Sequence, residues 1–104
     1  RDPSVHLALA DLYNKWGKPA RALAEFKILV RIEPRDPGHL INLGEQYWQR
    51  GDKRRALSTW KRLLGRGVYR NRESAYAALA QVYGILSGSV IDEAAIRQVV
   101  ESTG

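Results

Sequence analysis

The strongest constraint on how this chain can fold is an internal repeat. Displacing the sequence by 34 positions aligns Arg1-Asp2-Pro3 with Arg35-Asp36-Pro37. The same displacement pairs apolar, small and turn-forming residues with residues of their own kind: Leu9 with Leu43, Ala10 with Gly44, Tyr13 with Tyr47, Gly17 with Gly51, Ala22 with Ala56, Leu23 with Leu57, Phe26 with Trp60 and Leu29 with Leu63. A repeat of this length is one supersecondary unit, which buries its apolar face only by stacking on further copies.

A third, looser copy follows the first two. Leu79-Ala80-x-x-Tyr83 repeats the pattern of the second copy at a displacement of 36, and Ala95 and Val99 have the spacing of Ala and the aromatic residue in the earlier copies. Because of this larger displacement, we expect a longer turn around 87–89. The sequence therefore predicts one domain, 1–104, made of three repeats at about 3–36, 37–70 and 73–104.

Each copy is predicted to form two antiparallel helices, which makes the chain all-α. In the first copy, Leu9, Leu12, Tyr13 and Trp16 have the spacing of one helix face. Proline suits the first turn of a helix and glycine suits its end. The six predicted helices lie at about 3–16, 19–32, 38–50, 53–64, 73–86 and 91–101. Small residues are expected to face each other across the pairs and let the backbones approach closely, Ala10, Gly44 and Ala80 opposite Ala22, Ala56 and Ala95.

This pattern resembles the tetratricopeptide repeat (TPR) family. The matching strings are Leu9-Ala10-x-x-Tyr13…Gly17…Ala22-x-x-x-Phe26…Pro34 and Leu43-Gly44-x-x-Tyr47…Gly51…Ala56-x-x-x-Trp60. The resemblance covers nearly the whole chain and departs from the family at Val68, where a closing proline is usual, and in the long turn of the third copy. It implies a right-handed superhelix that serves as a non-catalytic scaffold or adaptor for a protein partner.

The resemblance also implies which residues bind that partner. In the family the first helices line a concave groove, here Ser4, Leu7, Asp11, Asn14, Ile41, Asn42, Glu45, Trp48, Gln49, Ala77, Gln81 and Gly84. The predicted contacts are Asp11, Asn14, Asn42, Glu45, Trp48 and Gln81. Trp48 either anchors a partner's side chain or packs against the neighbouring repeat. The surface is polar to mildly acidic, which suits a basic or apolar peptide, or a helix, of unknown identity.

Some family members bind the carboxylate-terminated tails of chaperones with a clamp of Lys, Asn and Arg. Here Leu7 and Asp11 replace the first Lys and Asn, Ser74 and Ala78 replace the later Lys and Arg, and only Asn42 fits. Asp11 repels a carboxylate. The chaperone-tail ligand is therefore not expected.

A second surface is suggested by the charge distribution. The chain has a net charge of +6, yet the segment 50–72 contains nine basic side chains against Asp52 alone. The predicted basic patch comprises Arg54, Arg55, Lys61, Arg62 and Arg66. It is either a solvated convex face or a surface for nucleic acid, anionic lipid or an acidic protein. Trp60 is expected in the core, which leaves Tyr69 as a single candidate for base stacking, so any nucleic-acid binding is expected to be nonspecific.

The residue types needed for catalysis are scarce. The absence of cysteine removes thiolate chemistry and cysteine–zinc sites. His6 and His39 are expected to be surface residues at helix starts, because too few ligands accompany them for a metal site. Asp11 and Glu45 are a conceivable acid/base pair, but no nucleophile accompanies them. We therefore predict no enzymatic activity, no metal and no cofactor.

The two ends of the chain carry further expectations. Arg1-Asp2-Pro3 duplicates an inter-repeat linker, and no polar capping helix follows Ile96, Val99 and Val100. Terminal repeats need a polar outer face. We therefore expect a fragment of a longer repeat protein, capable of self-association through its last helix. No apolar run approaches the roughly 20 residues that span a membrane.

Overall fold

Six α-helices, joined by short turns, account for most of residues 2–102, the part of the chain that this computed structural model describes. They are α1 (Pro3–Lys15), α2 (Pro19–Ile32), α3 (Pro37–Gln49), α4 (Lys53–Lys61), α5 (Arg72–Ser87) and α6 (Glu93–Ser102), with a 3₁₀ helix at Arg62–Leu64. Within 2–102 there is no β-strand. Consecutive helices pack as the pairs α1–α2, α3–α4 and α5–α6, and α2 also packs on α3. The all-α prediction is confirmed, and the pairwise packing is that of a helical repeat.

The starts and ends of the helices follow from local chemistry. Asp2 and Asp36 cap α1 and α3 by accepting hydrogen bonds from the backbone N–H two residues on, and a proline follows each cap. These are the two copies of the Arg-Asp-Pro motif. Gly17 and Gly51 follow α1 and α3 with φ of 70° and 82°, a left-handed conformation that glycine adopts without a Cβ penalty. The predicted turns between paired helices are therefore formed at the expected glycines.

At two of the approximate predicted helix boundaries the structure adds detail. The helix expected at 53–64 ends as an α-helix at Lys61, and its last turn is the tighter 3₁₀ form. The helix expected at 91–101 begins at Glu93, because the Asp92 side chain accepts a hydrogen bond from the Ala95 N–H at 2.8 Å. The expected long connection in the third pair is present: α5 runs to Ser87, ends at the left-handed Gly88, and is followed by a stretch without regular secondary structure before α6.

Small residues bring the paired helices close together in the first two repeats. Ala10, Ala22 and Ala56 are fully buried, as predicted. Gly44 lies directly beneath the indole of Trp60, so close that a Cβ on residue 44 would lie 2.0 Å from the Trp60 Nε1. The same Nε1 donates a hydrogen bond to the Ile41 carbonyl at 3.2 Å. Trp60 is thus a core residue with its one polar atom satisfied.

The third pair is built in a different register. Ala95 and Val99 are only partly buried, whereas their neighbours Ile96 and Val100 are buried completely. The alignment of Ala95 and Val99 with the buried residues of α2 and α4 is therefore wrong by one residue. Ile96 and Val100 belong to the core, so they do not form the uncovered apolar end that was expected of the last helix.

The exposed large apolar side chains of the described residues lie elsewhere. They are Val5, Leu7 and Leu12 on α1, Trp16 directly after α1, and Ile85 and Val90 near the end of α5. Trp16 is 62% exposed and Val90 fully so. Self-association through α6 stays a prediction, but Ile96 and Val100, two of the apolar residues on which it was based, are buried within the chain.

None of the helices in the described part of the chain combines the length and the apolar character that crossing a membrane requires.

Candidate functional site

A concave cleft of about 540 Å³ opens between α1 and α3. It is lined by Asp11 and Asn14 of α1, by Asn42, Glu45, Gln46 and Gln49 of α3, and by Gly17, Pro19 and Phe26. Four of the six predicted contacts, namely Asp11, Asn14, Asn42 and Glu45, therefore share one cavity. It also contains Gln49, another residue of the groove that the family resemblance implies.

Helix periodicity explains why these side chains converge. Asn42, Glu45, Gln46 and Gln49 are spaced i, i+3, i+4 and i+7, which places them on one face of α3. Asp11 is the residue of α1 that corresponds to Glu45 at the 34-residue displacement. Because repeats stack side by side, equivalent positions of successive first helices face the same cleft.

The cleft is acceptor-rich and negatively charged. Asp11 and Glu45 contribute two carboxylates, and no lysine or arginine is among the lining residues. Within 2–102, neither carboxylate forms an ion pair. Burial raises the pKa of Glu45 above its ordinary value, since desolvation disfavours the charged form. A cation from outside the chain would relieve this cost.

Gln46 is a cleft residue that the sequence reasoning did not select. The residue is only 6% exposed, yet its side chain makes no hydrogen bond with any described residue. Its polar atoms are not completely sealed from solvent, because no fully buried side-chain N or O of the described residues lacks a partner. The amide therefore reaches the cleft. Its spacing of four residues from Asn42 on the same helix face was the signal that could have identified it.

The apolar floor of the cleft was also missed. Phe26 of α2 is 3% exposed and lines the cleft together with Pro19 at the start of the same helix. The sequence reasoning assigned Phe26 to the core alone. A ring that closes the bottom of a polar cleft gives an incoming aliphatic chain an apolar surface to contact.

The other two predicted contacts lie outside this cleft. Trp48 stacks on Trp60 with ring centroids 5.7 Å apart and meets the edge of Tyr83, from α5, at 5.6 Å. The Lys53 ammonium lies 5.1 Å from the centroid of the Trp48 ring. Of the two roles left open for Trp48, packing against the next repeat is the one that these contacts describe. Gln81 is an exposed residue of α5 that does not line the cleft.

The predicted basic patch is exposed but does not form one pocket. Arg54 and Arg55 line a depression with Asp52 and Ser58, and the Arg55 Nε lies 3.5 Å from the Asp52 carboxylate. Arg66 lines a different cavity of about 440 Å³, which it shares with Arg70 in the loop before α5 and with Arg72 at the start of α5. Lys61 and Arg62 are exposed at the end of α4 and line neither cavity.

The histidines are more deeply placed than predicted. His39 is 8% exposed, so its assignment to the surface is wrong; its Nε2 lies 2.7 Å from Glu33 and 3.6 Å from Asp36. His6 is partly buried, with its Nδ1 2.7 Å from a Glu25 oxygen. Each histidine joins two parts of the fold through a carboxylate.

Glu33, Asp36 and His39 lie close enough to offer ligands to one cation. One ligand atom from each falls within 4.8 Å of the others. Glu33 was missed as a neighbour of His39 because it lies across the linker between α2 and α3. The groups already satisfy one another, since Asp36 caps α3 and Glu33 binds His39. These hydrogen bonds join the end of α2 to the start of α3 across the linker.

A comparison of the sequence with protein-family models produced no match, and a search among curated proteins also produced none.

Proposed function

We propose that this chain is a TPR-type scaffold whose cleft between α1 and α3 binds a protein or peptide partner, and that it is not an enzyme. The observation that carries this proposal is the cleft itself. Polar side chains from two successive repeats converge there without ion-pair partners in the described chain. A concave surface with a few convergent polar groups is typical of a binding site.

The composition of the cleft favours binding over catalysis. Its lining provides two carboxylates and four amides, but no histidine, lysine, serine or threonine. Acid/base chemistry by paired carboxylates is usually accompanied by a nucleophile or by a charged group that polarises the substrate, and the lining contains neither a histidine nor a basic residue. Amides and carboxylates instead match the N–H groups of a peptide or of a basic side chain.

The proposal is tested by affinity capture from lysate of the source cells, with nuclease present. Asp11→Lys combined with Glu45→Arg reverses the charge of the cleft, while Glu101→Arg reverses an exposed charge on α6 as a matched control. We expect a discrete protein that is retained by wild type and by Glu101→Arg and lost with the cleft variant. Equal capture by the wild-type chain and a cleft variant with an unchanged circular dichroism spectrum would contradict the proposal.

Polyanion binding is the second candidate function. It is favoured by the exposure of all five residues of the basic patch and by the cavity that Arg66 shares with Arg70 and Arg72. Arg55→Glu with Arg62→Glu should weaken retention on heparin or duplex DNA and reduce its salt dependence, because fewer phosphates or sulfates are neutralised. If nuclease abolishes the capture of partners, and the cleft variant captures the same partners as wild type without nuclease, the basic patch is the functional surface.

A further inference from the structure

We propose that the cleft between α1 and α3 recognises an arginine side chain of the partner, held between Asp11 and Glu45. This inference rests on the proposed function and names the chemistry that the cleft selects. It is based on three separate features of the described residues. These are the unpaired carboxylates, the amide of the largely buried residue Gln46, which reaches the cleft without a partner among the described residues, and the apolar floor.

The two carboxylates provide charge complementarity. Asp11 and Glu45 come from different repeats and line the same cleft, without a basic residue in the lining. Two negative charges that face one cavity repel each other, and a bound cation reduces the free-energy cost of this repulsion. An acidic or carboxylate-terminated partner would increase it. The occupant is therefore cationic.

Gln46 indicates a ligand that brings hydrogen-bond donors. The residue as a whole is only 6% exposed, its amide is the part that reaches the cleft, and no described residue forms a hydrogen bond with that amide. Its carbonyl oxygen can accept from a donor placed in the cleft. Asn14, Asn42 and Gln49 offer three further amide carbonyls around the same cavity.

A guanidinium group uses these acceptors more fully than an ammonium group does. It carries five N–H donors in a plane and can bind a carboxylate through two of them at once, whereas an ammonium has three donors on one point charge. Its aliphatic stem would lie against Phe26 and Pro19, the apolar part of the lining. The pattern of acceptors around an apolar floor therefore favours arginine over lysine.

The probe for this inference is the blocked tripeptide acetyl-Ala-Arg-Ala-amide, titrated into the ¹⁵N-labelled chain and followed by NMR. Citrulline in place of arginine keeps the shape and removes the charge, lysine keeps the charge and removes the planar set of donors, and glutamate reverses the charge. We expect the side-chain amide signals of Gln46 and Asn42 to shift with the arginine peptide. Hydrogen bonds to a charged group are worth enough to make citrulline binding about tenfold weaker or more.

Protein variants locate the binding. Asp11→Asn with Glu45→Gln should reduce the affinity for the arginine peptide about tenfold or more, and Glu101→Gln on α6 should leave it unchanged. Gln46→Leu should weaken arginine binding while the fold is retained, since the change removes only the amide. A circular dichroism spectrum of each variant shows whether the helices are intact.

Several outcomes would overturn the inference. They are equal affinity for arginine and citrulline, equal affinity for arginine and lysine, or shifts that avoid the cleft. An absence of any shift with the arginine peptide would overturn it as well. If the charge-reversed cleft loses its captured protein but arginine peptides do not bind, the proposed function stands and the arginine assignment fails. If the cleft variants also leave capture unchanged, both fail.

Discussion

At the scale of single residues, the contact of Gly44 with Trp60 shows how the size of one side chain limits the residue that can face it. The first repeat has Ala10 and Phe26 at these positions, while the second has Gly44 and Trp60. The larger indole of Trp60 occupies the space that a Cβ on residue 44 would need. The smaller residue and the larger ring therefore belong together.

Gly44→Ala is expected to destabilise the chain by about 1–3 kcal/mol, because overpacking of a rigid buried ring outweighs the better helix propensity of alanine. Gly44→Ala combined with Trp60→Phe recreates the pair found in the first repeat. In a double-mutant cycle measured by urea unfolding, the double variant should lose less stability than the sum of the single variants. Strict additivity would mean that the two side chains do not compete for this space.

The carboxyl group of Glu45 predicts a dependence of stability on pH. Burial raises its pKa in the folded chain, so the folded state holds more protons than the unfolded state between the two pKa values. The free energy of unfolding consequently falls as pH rises through this window, which begins near the ordinary glutamate value and extends upward. Above the window, the cost of desolvating the charged form is fully present.

Glu45→Gln removes this cost and should raise the melting temperature near pH 7. The gain over wild type should shrink as pH falls through the window, because the wild-type carboxyl group then becomes neutral as well. Other carboxylates, such as Asp2, whose pKa is lowered by hydrogen bonds from Ser4, contribute equally to both proteins. Thermal melts between pH 4 and pH 7, with Glu101→Gln as control, measure the difference. A gain that grows as pH falls would show that Glu45 is stabilised in its charged form.

At the scale of helices, side-chain caps fix where several elements begin. Asn71 accepts a hydrogen bond from the Ser74 N–H at 2.8 Å and so starts α5. Asp52 performs the same role for α4 with the Arg55 N–H at 3.1 Å. Unpaired backbone N–H groups at a helix start need such partners, and a side chain three residues before them provides one.

Asn71→Ala should reduce the free energy of unfolding by about 1 kcal/mol, since it leaves the Ser74 N–H without its capping partner. Asn71→Asp keeps an acceptor at the same place and should retain most of the stability. Chemical denaturation followed by circular dichroism compares the two variants. Equal loss in both would indicate that the amide nitrogen of Asn71, and not its oxygen, stabilises the start of α5.

At the scale of the whole molecule, stability is expected to vary along the stack of helix pairs. The central helix α3 packs on α2 before it and on α4 and α5 after it, and it contains the buried Leu40 and Leu43. The terminal α6 buries only Ile96 and Val100 to the same degree. In a stacked repeat, each unit is stabilised mainly by its neighbours.

Hydrogen exchange should therefore be slowest in α3 and faster in the two outer helices, α6 and α1, of which α1 buries only Ala10. Native-state exchange measured by NMR or mass spectrometry tests this order. Val100→Ala should accelerate exchange in α6 and α5 while leaving α1 and α2 little changed. Uniform protection across all six helices would show that the chain unfolds as one cooperative unit.

The positions of the helices, their caps and the all-α class were predictable from the sequence. Capping by Asp2 or Asp36, the reversal at Gly17 and the spacing of apolar residues each involve groups only a few positions apart. The clustering of Asp11 with Glu45 was predictable as well, because the repeat relates the two positions.

Tertiary structure decided which residues are covered, because burial depends on side chains that are distant in the sequence. Trp48 is a packing residue because its ring contacts Trp60 and Tyr83. Gln46 is largely buried beside a cleft that is lined by α1 as well as by its own helix, α3. The register of α6, with Ile96 buried in place of Ala95, depended on how α6 packs against α4 and α5. Local hydrogen bonding specifies where a helix lies along the chain, but only neighbouring helices determine which of its side chains meet water.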